Sequence, residues 1–254
     1  MSQTLRHPEI LDLARRGGKV TVEDLARHFG VTHQTIRRDL AELAEAGRLE
    51  RVHGGAVLPS GTTNIAYEER RRLNGEAKAA MGRACAGLIP PGSSLFLGIG
   101  TSTEAVAREL LGHRDLLVVT NNINVAGILL ASPDARVILA GGTIRRSDGG
   151  LVGPLAVQTI RRFRFDMAVI GCSALDDAGD LLDFDLQEVE VSQALLAQSR
   201  RTILVADHSK LQRNAPVRVA SLADLATLVT DRPLAPDLAA CCRDWETEVV
   251  VAPA

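Results

Sequence analysis

Residues 21–55, TVEDLARHFGVTHQTIRRDLAELAEAGRLERVHGG, constrain the fold of this chain more than any other stretch. Thr21 opens a T-x-x-D pattern with Asp24. A hydroxyl there can accept from first-turn amides, and the carboxylate suits the positive end of a helix. Val22, Leu25, Ala26 and Phe29 recur at helical spacing. Gly30 suits a helix C-cap, because it takes a left-handed conformation without a Cβ clash. Val31 can pack into the turn, and Thr32 is placed to N-cap a second helix. In that helix Ile36, Leu40 and Leu43 form the inward stripe, leaving Gln34, Arg37, Arg38 and Ala41 on roughly the opposite side. Gly47 is the expected helix end. Residues 48–57 are expected to form a hairpin that turns at Gly54-Gly55.

Two helices around a tight turn, followed by a hairpin, outline a winged helix-turn-helix, which sets its second helix in the major groove of DNA. Arginine can bond guanine bidentately and glutamine can do the same for adenine. Either arginine can instead grip phosphate, which positions the protein without reading sequence. The expected DNA contacts are Thr32, His33, Gln34, Thr35, Arg37 and Arg38 on the helix, with His33, Gln34, Thr35 and Arg38 nearest the bases. Arg51, His53 and Gly54 are expected to reach DNA from the wing. The competing reading is a small helical bundle with a solvated charged face. Residues 1–57 hold nine Lys/Arg against eight Asp/Glu, so DNA binding has to rest on local polarity rather than on a basic domain.

The 254 residues leave room for a larger second domain. Residues 5–16 read as a first helix, with Ile10, Leu11 and Leu13 inward and Gly17-Gly18 at its end. The expected division is a DNA-binding domain over 1–57, a linker over 58–75 and an α/β sensor domain over 76–254. The charged run 68–72 reads as a solvated helix end, with contact to DNA or a second subunit as the alternative. Beyond it, strands are expected at 95–97, 116–119, 136–140, 167–170, 202–206, 227–230 and 248–251. Helices fit between most of them, at 76–88, 103–111, 122–130, 154–162 and 187–199. Such alternation indicates a Rossmann-like α/β domain, with a mainly parallel sheet and helices on both faces. Ligands in such folds sit beyond the carboxyl ends of the strands. No apolar run of about 18 residues predicts a membrane span, and no signal-peptide core opens the chain. Four cysteines without C-x-x-C spacing point to buried thiols in a reducing cytoplasm, with no metal and no cofactor.

Five loops follow predicted strands. Gly98-Ile99-Gly100-Thr101-Ser102-Thr103 offers backbone amides, hydroxyls and a helix N-terminus to an anion. It lacks the P-loop lysine, and Thr103 holds the last position of G-x-G-x-x-G, so an ordinary tight turn is the alternative. Asn121 and Asn122 can bind hydroxyls or cap a helix. Gly141-Gly142-Thr143, with Gly149-Gly150 beyond, reads as a mobile loop or a lid. Gly171-Cys172-Ser173-Ala174 leads into an acidic stretch. There Asp183, Asp185, Glu188 and Glu190 can hold sugar hydroxyls, act as acid or base, or be solvated. Lys210, in Ala206-Asp207-His208-Ser209-Lys210, can neutralise a phosphate dianion. Together the loops suggest a phosphorylated sugar or polyol.

Eight segments then carry a resemblance: TIRRDL (35–40), RVHGGA (51–56), GIGTSTEAVA (98–107), VVTNN (118–122), AGGTIR (140–145), LVGPLA (151–156), FDMAVIGCSAL (165–175) and ADHSK (206–210). In this order they resemble the DeoR family of transcription regulators. The resemblance implies a DNA-reading domain and a sensor similar to sugar-phosphate isomerases such as ribose-5-phosphate isomerase. It implies a repressor of a sugar or polyol catabolic operon, bound to a double-stranded operator as a dimer or tetramer and released by a phosphorylated sugar. Carried over residue by residue, Gly100, Thr101, Ser102 and Thr103 would bind phosphate, while Asn121, Gly141, Ser173, Asp185, Glu188 and Lys210 line the rest of the pocket. Two positions depart from the family: Gly98, often aspartate, and Ser192, usually lysine. Both bear on which effector fits. A rival reading is an aldose–ketose isomerase with an appended DNA-binding domain. It would need a carboxylate base and a stabilised enediolate, for which Glu188 and Lys210 are available. A third reading keeps the sensor for oligomerisation alone. No catalytic residue is assigned.

Overall fold

The computed structural model describes residues 3–17, 19–45, 48–57, 64 and 66–253. The N-terminal domain runs α1 (Gln3–Gly17), β1 (Lys19–Thr21), α2 (Val22–Phe29), α3 (His33–Glu45), β2 (Glu50–Val52) and β3 (Gly55–Val57). Thr21 Oγ1 accepts from the Asp24 amide at 3.0 Å and donates to the Asp24 carboxylate at 2.7 Å, so one side chain closes the start of α2. Gly30 ends α2 in the left-handed region, with φ 64°. The Thr35 amide donates to Thr32 Oγ1 at 3.2 Å, which caps α3. Ile10, Leu25, Ile36, Leu40 and Leu43 meet in one small core, with Leu13 only partly buried beside it. The expected helix ends at Gly18 and Gly47 lie outside the described residues, as do 58–63 and 65 of the expected linker.

The wing differs from expectation in two linked ways. Its sheet has a third strand, in the order β1-β3-β2, all antiparallel. The turn falls on His53-Gly54 rather than on Gly54-Gly55, and Gly55 is the first residue of β3, opposite Thr21. Backbone proximity is the reason. A Cβ on Gly55 would stand 1.9 Å from the Val20 carbonyl oxygen, so only glycine lets β1 close against β3.

The chain continues as α4 (Tyr67–Arg72), within the expected linker, then α5 (Gly75–Gly87), β4 (Ser94–Leu97), α6 (Thr101–Glu109), β5 (Leu117–Thr120), α7 (Ile123–Leu129) and β6 (Arg136–Leu139). Next come β7 (Thr143–Ile144), β8 (Leu151–Val152), α8 (Pro154–Ile160), β9 (Phe165–Ile170), β10 (Ala174–Leu175), β11 (Asp180–Asp183) and α9 (Leu186–Leu196). The chain closes with β12 (Ser199–Val205), β13 (Val217–Ser221), β14 (Thr227–Thr230), α10 (Pro236–Asp244) and β15 (Glu248–Val251). The seven strands expected from the sequence form one sheet, β15-β14-β12-β9-β4-β5-β6, with every neighbour parallel.

Alternation along each strand feeds two cores. Leu95, Leu97, Val118, Met167 and Val169 face α5, α6 and α7. Phe96, Val119, Ala168, Ile170 and Leu204 face α8, α9 and α10. Burial on both faces explains why these strands read as continuous apolar runs. The reading missed α10, where only Leu238 and Cys242 turn fully inward, and it missed the small β10-β11-β13 sheet, whose strands are two to five residues long. Gly141-Gly142-Thr143, expected as a mobile loop or lid, leads instead into a hairpin in which β7 pairs with β8. No helix among the described residues is long and apolar enough to cross a membrane.

Candidate DNA and effector sites

On α3, His33, Gln34, Arg37 and Arg38 are exposed and Thr35 is half-exposed, while Ile36, Asp39, Leu40 and Leu43 are buried. The four exposed side chains thus share the outer face of one helix. Arg51, His53 and Gly54 are exposed on the wing. Thr32 is exposed too, but its hydroxyl already serves as the helix cap. Arg38 is 79% exposed and reaches Glu42 Oε1 at 3.2 Å, an i,i+4 pair worth only about 0.3–0.5 kcal/mol.

Sequence reasoning missed the role of Asp39. Arg6 donates to its two oxygens, Nε at 2.8 Å and Nη2 at 3.1 Å, and both side chains are buried. The bidentate pair pins α1 to the back of α3, and the bond to Asp39 raises the Arg6 pKa further. The acid in TIRRDL is therefore buried behind α3, on the side opposite its exposed face.

In the sensor, the chain runs from β4 through β5 to β6 at one edge, then returns to β9 and proceeds outward the other way. The strand order reverses between β4 and β9, and such a switch point opens a crevice at the strand ends. The Gly98 amide donates to Val169 O at 2.9 Å, tying the two strand ends together. Gly100 has φ 142°, a conformation that favours glycine, and it directs the chain into α6. Thr101 and Ser102 follow in the first turn of α6, both buried. Thr103, the next residue, is fully buried. Its hydroxyl lies 2.8 Å from Gly98 O and 2.7 Å from Gly100 O, so its proton shapes the loop instead of reaching outward.

Asn121 donates to Leu151 O at 3.0 Å, while its buried Oδ1 has no hydrogen-bond partner. Asn122 caps α7, accepting from the Asn124 amide at 2.9 Å. Of the two, Asn122 is thus the helix cap. Gly141 is covered by Leu155, whose Cδ2 would lie 3.0 Å from an added Cβ. Ser173 donates to Asp183 at 2.9 Å and accepts from Asn64 at 2.8 Å. Asp185 caps α9 and Glu188 lies in its first turn. Both converge on Arg145, which sequence reasoning did not single out. Arg145 reaches Asp148 at 2.7 Å, Asp185 at 2.7 Å and also Glu188. Burial, with Asp183 nearby, pushes Glu188 up to about 7 against the pull of Arg145. Burial also opposes ionisation of Asp185, but the bond and charge of Arg145 and the amides of Gln187 and Glu188 together outweigh it and hold that carboxyl low. Gly98 and Ser192, the two departures, border one small void together with Asn121 and Glu188.

Two buried lysines supply positive charge. Lys210 is 9% exposed and Lys78, on α5, is 6% exposed. Burial, with Arg213 nearby, lowers Lys210 to about 8. Burial also lowers Lys78 to about 8, against the attraction of Asp207. Asp207 itself is held down to about 2, since Lys210, its bond to Ser209 and Lys78 outweigh its burial. Lys78 borders a hollow of about 230 Å³ together with Thr101, at the start of α6. Lys78 was legible in one respect: it falls on the stripe of α5 that carries Met81, Gly82 and Cys85, an odd position for a solvated lysine. Among the described residues no group of three His, Cys, Asp or Glu could hold a metal ion.

The expected linker does not stand apart from this site. Residues 66–74 form α4 and its flanks, and Tyr67, Arg70, Arg145, Asp148, Asp185 and Glu188 border one cleft of about 570 Å³.

Residues 6–62 match the DeoR-like helix-turn-helix domain, and residues 73–232 match the DeoR C terminal sensor domain. The chain is 46% identical to the glycerol-3-phosphate regulon repressor of Escherichia coli K12, over 92% of either chain. It is 45% identical to the Haemophilus influenzae repressor of the same name, over 91% of this chain and 90% of that one. It is 37% identical to the HTH-type transcriptional repressor CsqR of Escherichia coli K12, over 97% of this chain and 94% of that one. Among solved structures, ribose 5-phosphate isomerase A of Methanocaldococcus jannaschii is 12% identical over 54% of this chain and 55% of that one, with a TM-score of 0.40.

Proposed function

This chain belongs to the DeoR family and is a DNA-binding transcription regulator rather than an enzyme; on that premise we propose that it represses a polyol catabolic operon and that glycerol 3-phosphate releases it. The observation that carries the effector reading is the pair of buried lysines, 78 and 210, with Asp207 between their charges and the α6 N-terminus beside Lys78. A phosphate dianion there gains two cations and a helix end, and it relieves the cost of two buried ammonium groups. In this reading Gly100, Thr101 and Ser102 hold phosphate through their amides and hydroxyls, with Thr103 shaping the loop. Asn121, Gly141, Ser173, Asp185, Glu188 and Lys210, joined by Lys78 and Arg145, surround the polyol. Gly98 and Ser192 leave the crevice without a carboxylate or ammonium at those two points, which suits a short, uncharged glycerol backbone.

A thermal-shift panel tests the effector. Glycerol 3-phosphate at 100 times its Kd is expected to stabilise the native protein by about 2.7 kcal/mol. Glycerol and inorganic phosphate alone are expected to shift the melt less. No shift with any phosphorylated sugar or polyol would leave a sensor domain kept for oligomerisation.

DNA reading is assigned to His33, Gln34, Thr35, Arg37 and Arg38 in the major groove, with Thr32, Arg51, His53 and Gly54 on the backbone or minor groove. Arg38→Ala is expected to cost about 1–3 kcal/mol and to relax preference at one position of a selected duplex. Equal weakening on all sequences, with a shallower salt slope, assigns Arg38 to phosphate instead. Action as a dimer or tetramer on paired half-sites completes the proposal.

A further inference from the structure

We infer that α4, in the segment joining the DNA-binding domain to the sensor, is part of the effector site and is the element the effector moves. This inference rests on the effector reading above and assigns it a route to DNA.

The segment is held to the sensor pocket by side chains on both sides. Asn64 donates to Ser173 at 2.8 Å. The Tyr67 hydroxyl donates to Glu104, in the first turn of α6, at 2.8 Å. Arg70 Nη2 donates to Asp148 at 3.3 Å, beside Arg145 on the same carboxylate. Lys78 closes the far end of α4, donating to Arg70 O and, at 2.6 Å, to Leu73 O. Asn74 then donates to Asp207 at 2.9 Å. Ser173, Lys78 and Asp207 are thus shared between this segment, α4 with its flanks Asn64 and Asn74, and the site proposed for a phosphorylated polyol.

Sharing of this kind makes a competition. Ser173 gives its one proton to Asp183 and accepts from the Asn64 amide, so a ligand donor that approaches this hydroxyl has to share its acceptor face with Asn64. Lys78 has three donors, two of which hold the α4 carbonyls. A phosphate that draws the ammonium toward Thr101 lengthens those bonds. Arg70 is nearly buried, with its Nε lacking a hydrogen-bond partner, so its hold on Asp148 is its main anchor. Any shift of the Arg145 and Asp148 pair toward ligand hydroxyls loosens it. Ligand and α4 draw on the same polar atoms, and this differential contact is what a ligand needs to shift an equilibrium. The helix is only six residues long and has no buried side chain of its own, so these bonds are most of what fixes it.

The test uses the full chain, a selected operator duplex and glycerol 3-phosphate as probe. Tyr67→Phe removes a single hydroxyl, and Arg70→Ala removes the anchor to Asp148. Melting curves check that each variant folds. Both variants are expected to bind operator more weakly without ligand, approaching the ligand-saturated level of the unsubstituted protein. The fold-change in operator Kd produced by ligand, typically about 5- to 150-fold in coupled systems, is expected to fall below about threefold. Amide exchange over residues 66–74 is expected to speed up when ligand binds. The inference is overturned if both variants match the unsubstituted protein in ligand-free operator affinity and in response to ligand. Failure of glycerol 3-phosphate to bind at all, seen by calorimetry, refutes the effector reading instead. The ligand-free operator affinities of the two variants still decide whether α4 controls the DNA-binding domain.

Discussion

Gly55→Ala is expected to abolish operator binding and to unfold the winged domain, while the sensor keeps its ligand response. The added Cβ would stand 1.9 Å from Val20 O and 2.9 Å from Val20 C, both backbone atoms that no rotamer change can move. Relief requires β1 to leave β3. That parts Val20 from Ala56, exposes their share of the small core, and frees the wing that presents Arg51 and His53. Overpacking a well-fitted core costs about 1–3 kcal/mol and sometimes more, and a clash with rigid backbone belongs at or beyond the upper end. A domain with eleven buried apolar residues in its core among the described residues has little stability in reserve. Gly54→Ala serves as the control. Its φ of 77° is strained for alanine, but nothing lies within 4 Å of the new methyl, so about 1–2 kcal/mol is expected. Fluorescence anisotropy on a selected duplex, with a melting curve for each variant, separates the two. Near-normal binding and melting by Gly55→Ala would show that β1 does not pack on β3 in solution.

Lys210→Met and Lys78→Met are each expected to weaken glycerol 3-phosphate binding by about 2–5 kcal/mol, roughly 30-fold to several thousandfold, because each leaves a buried dianion short of one cation. Operator binding without ligand is expected to persist in Lys210→Met. Lys78→Met also loses the bonds to Arg70 O and Leu73 O, so its operator affinity is expected to fall as well. Calorimetry with ligand and anisotropy with DNA read the two effects apart. Unchanged ligand affinity in both variants would remove the lysines from the site.

The same lysines give a pH dependence with a definite sign. Both are lowered by burial from 10.5 to about 8. Between about 8 and 10.5 the unfolded chain therefore holds more protons than the folded one, and the stability of the protein alone rises with pH across that window. Ligand affinity runs the opposite way. The phosphate is dianionic above its second pKa near 6, and it needs the lysines charged, so affinity is greatest at about pH 6–8 and falls as pH rises through 8. The stabilisation conferred by glycerol 3-phosphate is thus expected to shrink between pH 7 and 9.5. A ligand-induced melting shift that stays constant over that range would contradict charged lysines at the phosphate.

Much of this was legible in the chain itself because it rests on local rules. The Thr21 cap, the Gly30 turn and the Ile36, Leu40, Leu43 stripe are set by residues within one or two helical turns of each other. The seven central strands are legible because each is an apolar run between helical stretches. Gly100 and Lys210 are legible because they follow such strands directly. The misses have a common physical character. Gly55 sits in β3 rather than in the turn because of Val20, 35 positions earlier. The Thr103 hydroxyl looks free in the sequence and is taken by carbonyls that only the folded loop brings near it. Arg145 and the polar residues of α4 carry ordinary surface side chains, and nothing local marks them as site residues, whereas Lys78 is marked only by its place on the apolar stripe of α5.

The sequence by itself determined the helix-turn-helix, the seven parallel strands and the loops that follow them, since caps, periodicity and glycine act at short range. Only the tertiary structure decided which charges meet. Arg6 finds Asp39 across 33 residues, Arg145 gathers Asp148, Asp185 and Glu188, and Tyr67 and Arg70 turn an expected linker into one wall of the cleft. A charge buried by packing has to be matched by whatever partner the fold brings within reach, and that match depends on the whole topology rather than on its neighbours in the chain.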